Sequence, residues 1–259
     1  VAAAANTITY TQSAGTITVN TIGNASATLG SFDLGTSLSS VINMSGGTIV
    51  CQLAATAIDY RNQAGGGITN VSGGTLQMGN AASGAAKAFN LRGVMPNLVI
   101  TNTSANHSAT MSTTLVNFNN ISVNITINTG TTFNAGNVVF LFNGTTLTNN
   151  GTLTHNGASS NFVWFLATAP QTYTGTGVVT APMTNFAVQA DQGLTINAAV
   201  SNIVVGAIRL FSGSVTNANK ITLGNGGATT GVVQIGNTTT PTHAGTFVVP
   251  FTFNFGTGG

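Results

Sequence analysis

The chain has 259 residues but only 5 Lys or Arg and 3 Asp, so 3% of it is charged against roughly 25% in an average soluble domain. The five cations, Arg61, Lys87, Arg92, Arg209 and Lys220, are scattered, which excludes the clustered positive charge that neutralises nucleic-acid phosphates. Hydrophobic residues make up 42% of the chain, too many for a disordered polar segment, and helix-favouring Glu, Lys, Arg and Gln are too few to cover a solvated helix.

The chain starts at Val1 without a basic leader, so an export signal is expected to have been removed or to lie outside it. Three early segments read alike: Ile8–Ile17, Val41–Ile49 and Ile68–Leu76. Each is a short strand, a corner at Ser13, Ser45 or Ser72 ending in Gly, and a second strand opened by Thr. Cys51 stands alone in the apolar run Thr48-Ile-Val-Cys51, so no intrachain disulfide is available and a buried, inert thiol is expected. Further on, Asn97–Asn102 is echoed at Asn185–Ala190, and Asn124–Asn128 at Leu194–Asn197. Gly144–Gly157 is nearly an internal duplicate. The most apolar runs, Val138–Phe142 and Phe162–Ala167, are of strand length, short of the roughly 18 residues of a membrane helix. Ten Asn-X-Ser/Thr triplets follow from composition and permit glycosylation without arguing for it.

Apolar and polar residues alternate in Thr16–Asn20, Val123–Asn128 and Thr152–Thr154, the period of a strand with one face in and one out. Thr, Val and Ile suit such strands, and Gly and Asn suit the turns between them. The fold expected is all-β: a right-handed parallel β-helix, or β-solenoid, over residues 1–259 as one elongated unit. Tandem β-sandwich modules are the alternative. The recurrence of one unit without charged outer faces favours the solenoid. Rungs of about 20 to 30 residues would give about 9 to 12 turns and a rod of roughly 45 to 60 Å at the inter-strand spacing.

The stretches Thr69–Phe89 and Val94–Asn102 resemble repeat modules of very large cell-surface proteins of the Bacteroidota, and so do Ile125–Thr132, Asn149–Thr154, Gln171–Gly177 and Ile221–Gly227. Those proteins are gliding-motility adhesins and related filaments exported by the type IX secretion system. The likeness covers residues 66–259, with 1–65 matching more weakly. It implies an extracellular location, a long thin fibre and adhesion. The final Phe253–Gly259 reads like the middle of a repeat, as in an excerpt or subunit of a longer fibre.

Residues for chemistry are sparse. Asp33 and Asp59 are 26 residues apart in sequence, so stacked turns could bring them to the separation of a glycosidase pair. The plainer expectation is that each Asp, with Asp191, caps a turn or pairs locally, as Asp59 would with Arg61. His107, His155 and His243 lie in polar surroundings without metal-ligand spacing, and are expected to be exposed loop residues. No metal, cofactor or catalytic residue is assigned. Trp164, in Phe162-Val-Trp-Phe165, either stacks on a sugar ring or packs in the core, with the core preferred. Phe247, Phe251, Phe253 and Phe255 fall at odd positions of one run, as in a strand that presses on the next rung or on another subunit.

The function expected is a non-enzymatic structural module of a bacterial surface fibre or adhesin, contacting neighbouring repeats or identical subunits. A carbohydrate-binding module is the alternative, and a polysaccharide-active enzyme comes after it. Thr-X-Thr at Thr7–Thr9 and Thr16–Thr18 raises ice binding. The irregular repeat length argues against the regular Thr ladders that this needs.

Overall fold

The structure, a computed structural model, describes residues 8–20, 30–34, 40–54, 58–62, 69–93, 95–111, 124–136, 140–155, 163–167, 169–180, 183–224, 232–235, 246–247 and 252–253. It is a parallel β-solenoid, and every described strand pairing is parallel. The only helical elements among the described residues are two 3-10 turns, Ala81–Ser83 and Ala218–Lys220.

One sheet runs the length of the stack and contains ten strands, from Thr16–Val19 to Thr246–Phe247. We call it the long face. Ten strands at the inter-strand spacing span about 43 Å along the axis. A second face has seven strands, from Phe32–Asp33 to Val178–Val179. The third face comprises two separate sheets that both precede a long-face strand in the chain. Thr9–Gln12, Val41–Met44 and Thr69–Val71 form the first. The second starts at Phe140–Phe142 and includes the long strands Met183–Ala190 and Ile203–Ser212.

Alternation along each strand builds continuous inward columns. On the long face Ile17, Ile49, Leu76, Leu98, Ile125, Leu147, Tyr173 and Ile196 stand in register. From Ile49 onward all are buried. Each buried aliphatic side chain in such a column contributes about 1.5–3 kcal/mol, so the ladder is the main source of cohesion. The next inward column, Val19, Cys51, Met78, Ile100 and Ile127, ends at Asn149. Asn149 is buried but donates Nδ2 to the Tyr173 hydroxyl at 2.9 Å and to the Val178 carbonyl at 3.0 Å. Burial pushes the Tyr173 hydroxyl up to about 12, against the opposing pull of the Asn149 bond.

The repeated corners stack as read from the sequence. Ser13-Ala-Gly15, Ser45-Gly-Gly47 and Ser72-Gly-Gly74 lie between paired strands on both sides. Their last residues all have φ between 77° and 82°, a conformation that side chains resist. Cys51 is buried, and its thiol is raised far above its ordinary range by burial first and by the Asp59 charge second. The buried cysteine expected from the sequence is what the fold contains.

Candidate binding surfaces

The carboxylates are spread along the stack. Asp33 and Arg61 are register partners on the second face. Arg61 donates Nε to Asp33 Oδ1 at 2.8 Å and a terminal nitrogen to Oδ2 at 2.5 Å, and both side chains are buried. The Gly30 amide adds a third bond to Asp33 at 2.8 Å. Arg61 therefore forks onto the acid one rung away, not onto Asp59 as local pairing suggested. Asp59 instead accepts the Asn90 amide at 2.7 Å one rung further on. Asp191 accepts the Ser212 hydroxyl at 2.6 Å. Each acid is bonded within the scaffold, joining segments 21 to 31 residues apart.

Two histidines correct the expectation of exposed loops: His107 and His155 are 1% and 2% exposed. His107 Nδ1 accepts the Lys87 amide at 3.1 Å, and its Nε2 lies 3.2 Å from the Ser104 hydroxyl. That assigns the proton of the neutral ring to Nε2. The ring meets Phe89 edge-on at 5.8 Å and covers Gly79, where any side chain would collide with it. The signal missed in the sequence was glycine at 79, one rung from a histidine that needs the space. His243 lies outside the described residues. Among the described residues no three His, Cys, Asp or Glu side chains are grouped to hold a metal.

A groove of about 670 Å³ runs along the corner between the third and long faces. Asn97, Asn124 and Thr145 line one side, and Val71, Leu166 and Asp191 the other. The amides on the first side form a ladder. Asn97 donates to the Gly74 carbonyl at 2.9 Å and accepts the Asn124 amide at 2.9 Å. Asn124 Oδ1 accepts the amides of Thr145 and Thr146 at 3.0 and 2.9 Å. Much of the hydrogen-bonding capacity of these amides is thus spent on holding rungs together.

The outer surface of the long face is the most regular surface feature. Thr146, Thr172, Thr195 and Thr216 stand in register as one column. Thr126, Thr148 and Thr174 form a second. The expectation that an uneven repeat would scatter such ladders is overturned. Differences in rung length are taken up between the strands, while the inward Leu, Ile and Tyr column sets the register. No family model, curated protein or solved structure matches this chain. Its surfaces are therefore read from their own geometry.

The aromatic residues singled out in the sequence separate. Trp164 lies in the third-face strand Val163–Ala167, in backbone register with Leu141 and Ala187; its side chain is outside the described residues. Its neighbours Val163 and Phe165 are core. The Phe247–Phe255 run is not one strand, because Phe247 joins the long face beside Val215 and Phe253 the third face beside Leu223. Phe251 and Phe255, and the side chains of Phe247 and Phe253, lie outside the described residues. Ile17 is 43% exposed although every later described member of its column is buried, and Val232 and Ile235 on an outer third-face strand are 50% and 60% exposed.

Proposed function

We propose that this chain is a non-enzymatic structural module of an extracellular bacterial surface fibre or adhesin, of the kind its repeats resemble in Bacteroidota exported by type IX secretion. The observation that carries the reading is the exposed Ile17 at the foot of an otherwise buried ladder, matched by exposed Val232 and Ile235 on an outer strand. Apolar positions left open on the outermost described strands differ from the polar face with which the terminal repeats of an isolated solenoid end. Among the described residues the end strands of the long face, Thr16–Val19 and Thr246–Phe247, pair on one side only, an edge that favours addition of a further rung, from a neighbouring repeat or a second copy. The outer surface of Thr and Asn carries few charges to titrate or screen, which suits a fibre working in changing salt and pH.

Small-angle scattering over a concentration series tests this. Rods of constant cross-section that lengthen with concentration are expected, and Ile17→Lys with Ile235→Lys should hold them at one unit length. A compact particle at every concentration would remove the reading. The corner groove supports a second reading, carbohydrate binding, because amides, a carboxylate and apolar Leu166 converge there. Glycan-array binding lost in Leu166→Ala and Asp191→Ala, both in the groove, would favour it over the fibre.

A further inference from the structure

We propose that the Thr-covered upper part of the long face is a binding surface for crystalline water, that is, for ice. The inference does not depend on fibre assembly.

Three observations carry it. First, the two Thr columns form a two-dimensional array. Neighbouring strands repeat at about 4.8 Å and alternate residues at about 6.6 Å, a regular grid on the scale of the oxygen spacings in hexagonal ice. Register is kept from rung to rung, and the one register shift among the described pairings falls on the third face, between Val188 and Gln189.

Second, these hydroxyls are free for water. Elsewhere the hydroxyls of Thr101, Thr131, Thr145 and Thr222 are engaged within the protein. Among the described residues, no hydrogen bond joins the hydroxyls of Thr126, Thr146, Thr148, Thr172, Thr174, Thr195 and Thr216 to the protein. Thr is stiff about χ1, so the methyl and hydroxyl of each residue are held in place before water arrives. Little ordering cost then remains to be met on binding.

Third, the face lacks what other occupants need. None of the described outward residues on the ten long-face strands is charged or aromatic. A polysaccharide surface calls for rings to stack on sugars, and a phosphate-rich polymer calls for cations. Methyl groups that order water into cages, with hydroxyls that anchor those cages, fit an ice lattice. Lower on the same face Val50, Gln77 and Val99 interrupt the second column, so the active patch is the part above Asn97.

The test is ice shaping and thermal hysteresis of the purified chain. Faceted crystals and a measurable freezing-point gap are expected. Thr148→Lys with Thr172→Lys should abolish both. Thr132→Lys with Thr152→Lys, on the second face, should leave both intact, with melting curves of the two variants alike. Round, unshaped crystals with the unaltered chain overturn the proposal, as does equal loss in both variants or full activity in the first. Sedimentation with microcrystalline cellulose or chitin in place of ice shaping also overturns it. Rods that form while crystals stay unshaped would sink this inference and leave the fibre reading standing.

Discussion

The two third-face sheets solve the same stacking problem with different chemistry. Around the first, rungs are tied by directional polar bonds. Arg61 forks onto Asp33, Asn70 donates to Asn43 at 2.8 Å, and Asn43 reaches Thr11 at 3.4 Å. Aromatic contacts add to them: Tyr10 meets Phe32 edge-on at 5.2 Å, and Phe32 stacks on Tyr60 at 5.6 Å. Around the second, rings pack together beside a few polar ties such as Ser212 on Asp191 at 2.6 Å: Phe165 touches Phe142, Phe186 and Tyr173 at centroid distances of 5.4, 5.1 and 6.3 Å. Hydrogen bonds demand one register, whereas apolar contact tolerates several. The longest strands and the shifted register both fall on the apolar side. Polar ladders therefore hold alignment where strands are short, and apolar ladders supply cohesion where strands are long.

The largest effect should come from Phe165→Ala, which opens a cavity among three rings at a cost of about 3–5 kcal/mol. Asp33→Ala should follow at about 3 kcal/mol, because it leaves Arg61 buried without its counter-ion and next to Arg92 in register. Denaturant midpoints measure both, and amide exchange locates them. Loss of protection confined to the second sheet in the first variant, and to the first sheet in the other, would keep the two regions separate. Loss spread evenly over both would merge them into one cooperative unit.

Gly15 and Gly47 sharpen the comparison within the polar region. Both have a left-handed φ, but a side chain at Gly15 meets nothing within 4 Å, whereas one at Gly47 meets the Gln12 amide at 2.5 Å. Gly15→Ala should cost only the backbone penalty of about 1–2 kcal/mol. Gly47→Ala should cost more, because Gln12 must also give up its bonds to the carbonyls of Ala14 and Gly15. Equal melting shifts for the two would mean that Gln12 does not brace the corner.

Much of this fold was readable from local pattern. The alternation in Thr16–Val19 and Ile125–Ile127 and the three Ser-Gly corners predict parallel stacking, and the inward ladder follows from it. What could not be read was which residues of different rungs meet. Asp33 finds Arg61 across 28 residues and His107 finds Lys87 across 20, because loops of uneven length, not a fixed period, separate the strands that the inward ladder aligns. For the same reason neither the Thr array nor the burial of His107 and His155 is legible in the sequence. Strands of two to four residues also hide the division into faces: Phe247 and Phe253 pair with different sheets although one alternating pattern spans both.

The smallest expected effect is a pH dependence at His107, which lies on one of the two rungs between the two third-face sheets. Burial, and then the Lys87 charge, lower its pKa from the ordinary value, and protonation of Nδ1 would displace the Lys87 amide. In the unfolded chain the ring takes up a proton near pH 6.5, while the folded chain resists. Unfolding then binds a proton as the pH falls, so stability is full above about pH 6.5, declines below it, and levels off once the folded ring also protonates. Melting temperatures at pH 7.5 and pH 5 should differ for the unaltered chain and differ less for His107→Gln. An unchanged difference in the variant would place the titrating group elsewhere. Exchange data on the same samples decide the wider point. If acid loosens both third-face sheets together, His107 couples the polar and apolar regions; if it loosens neither, each is held by its own ladder.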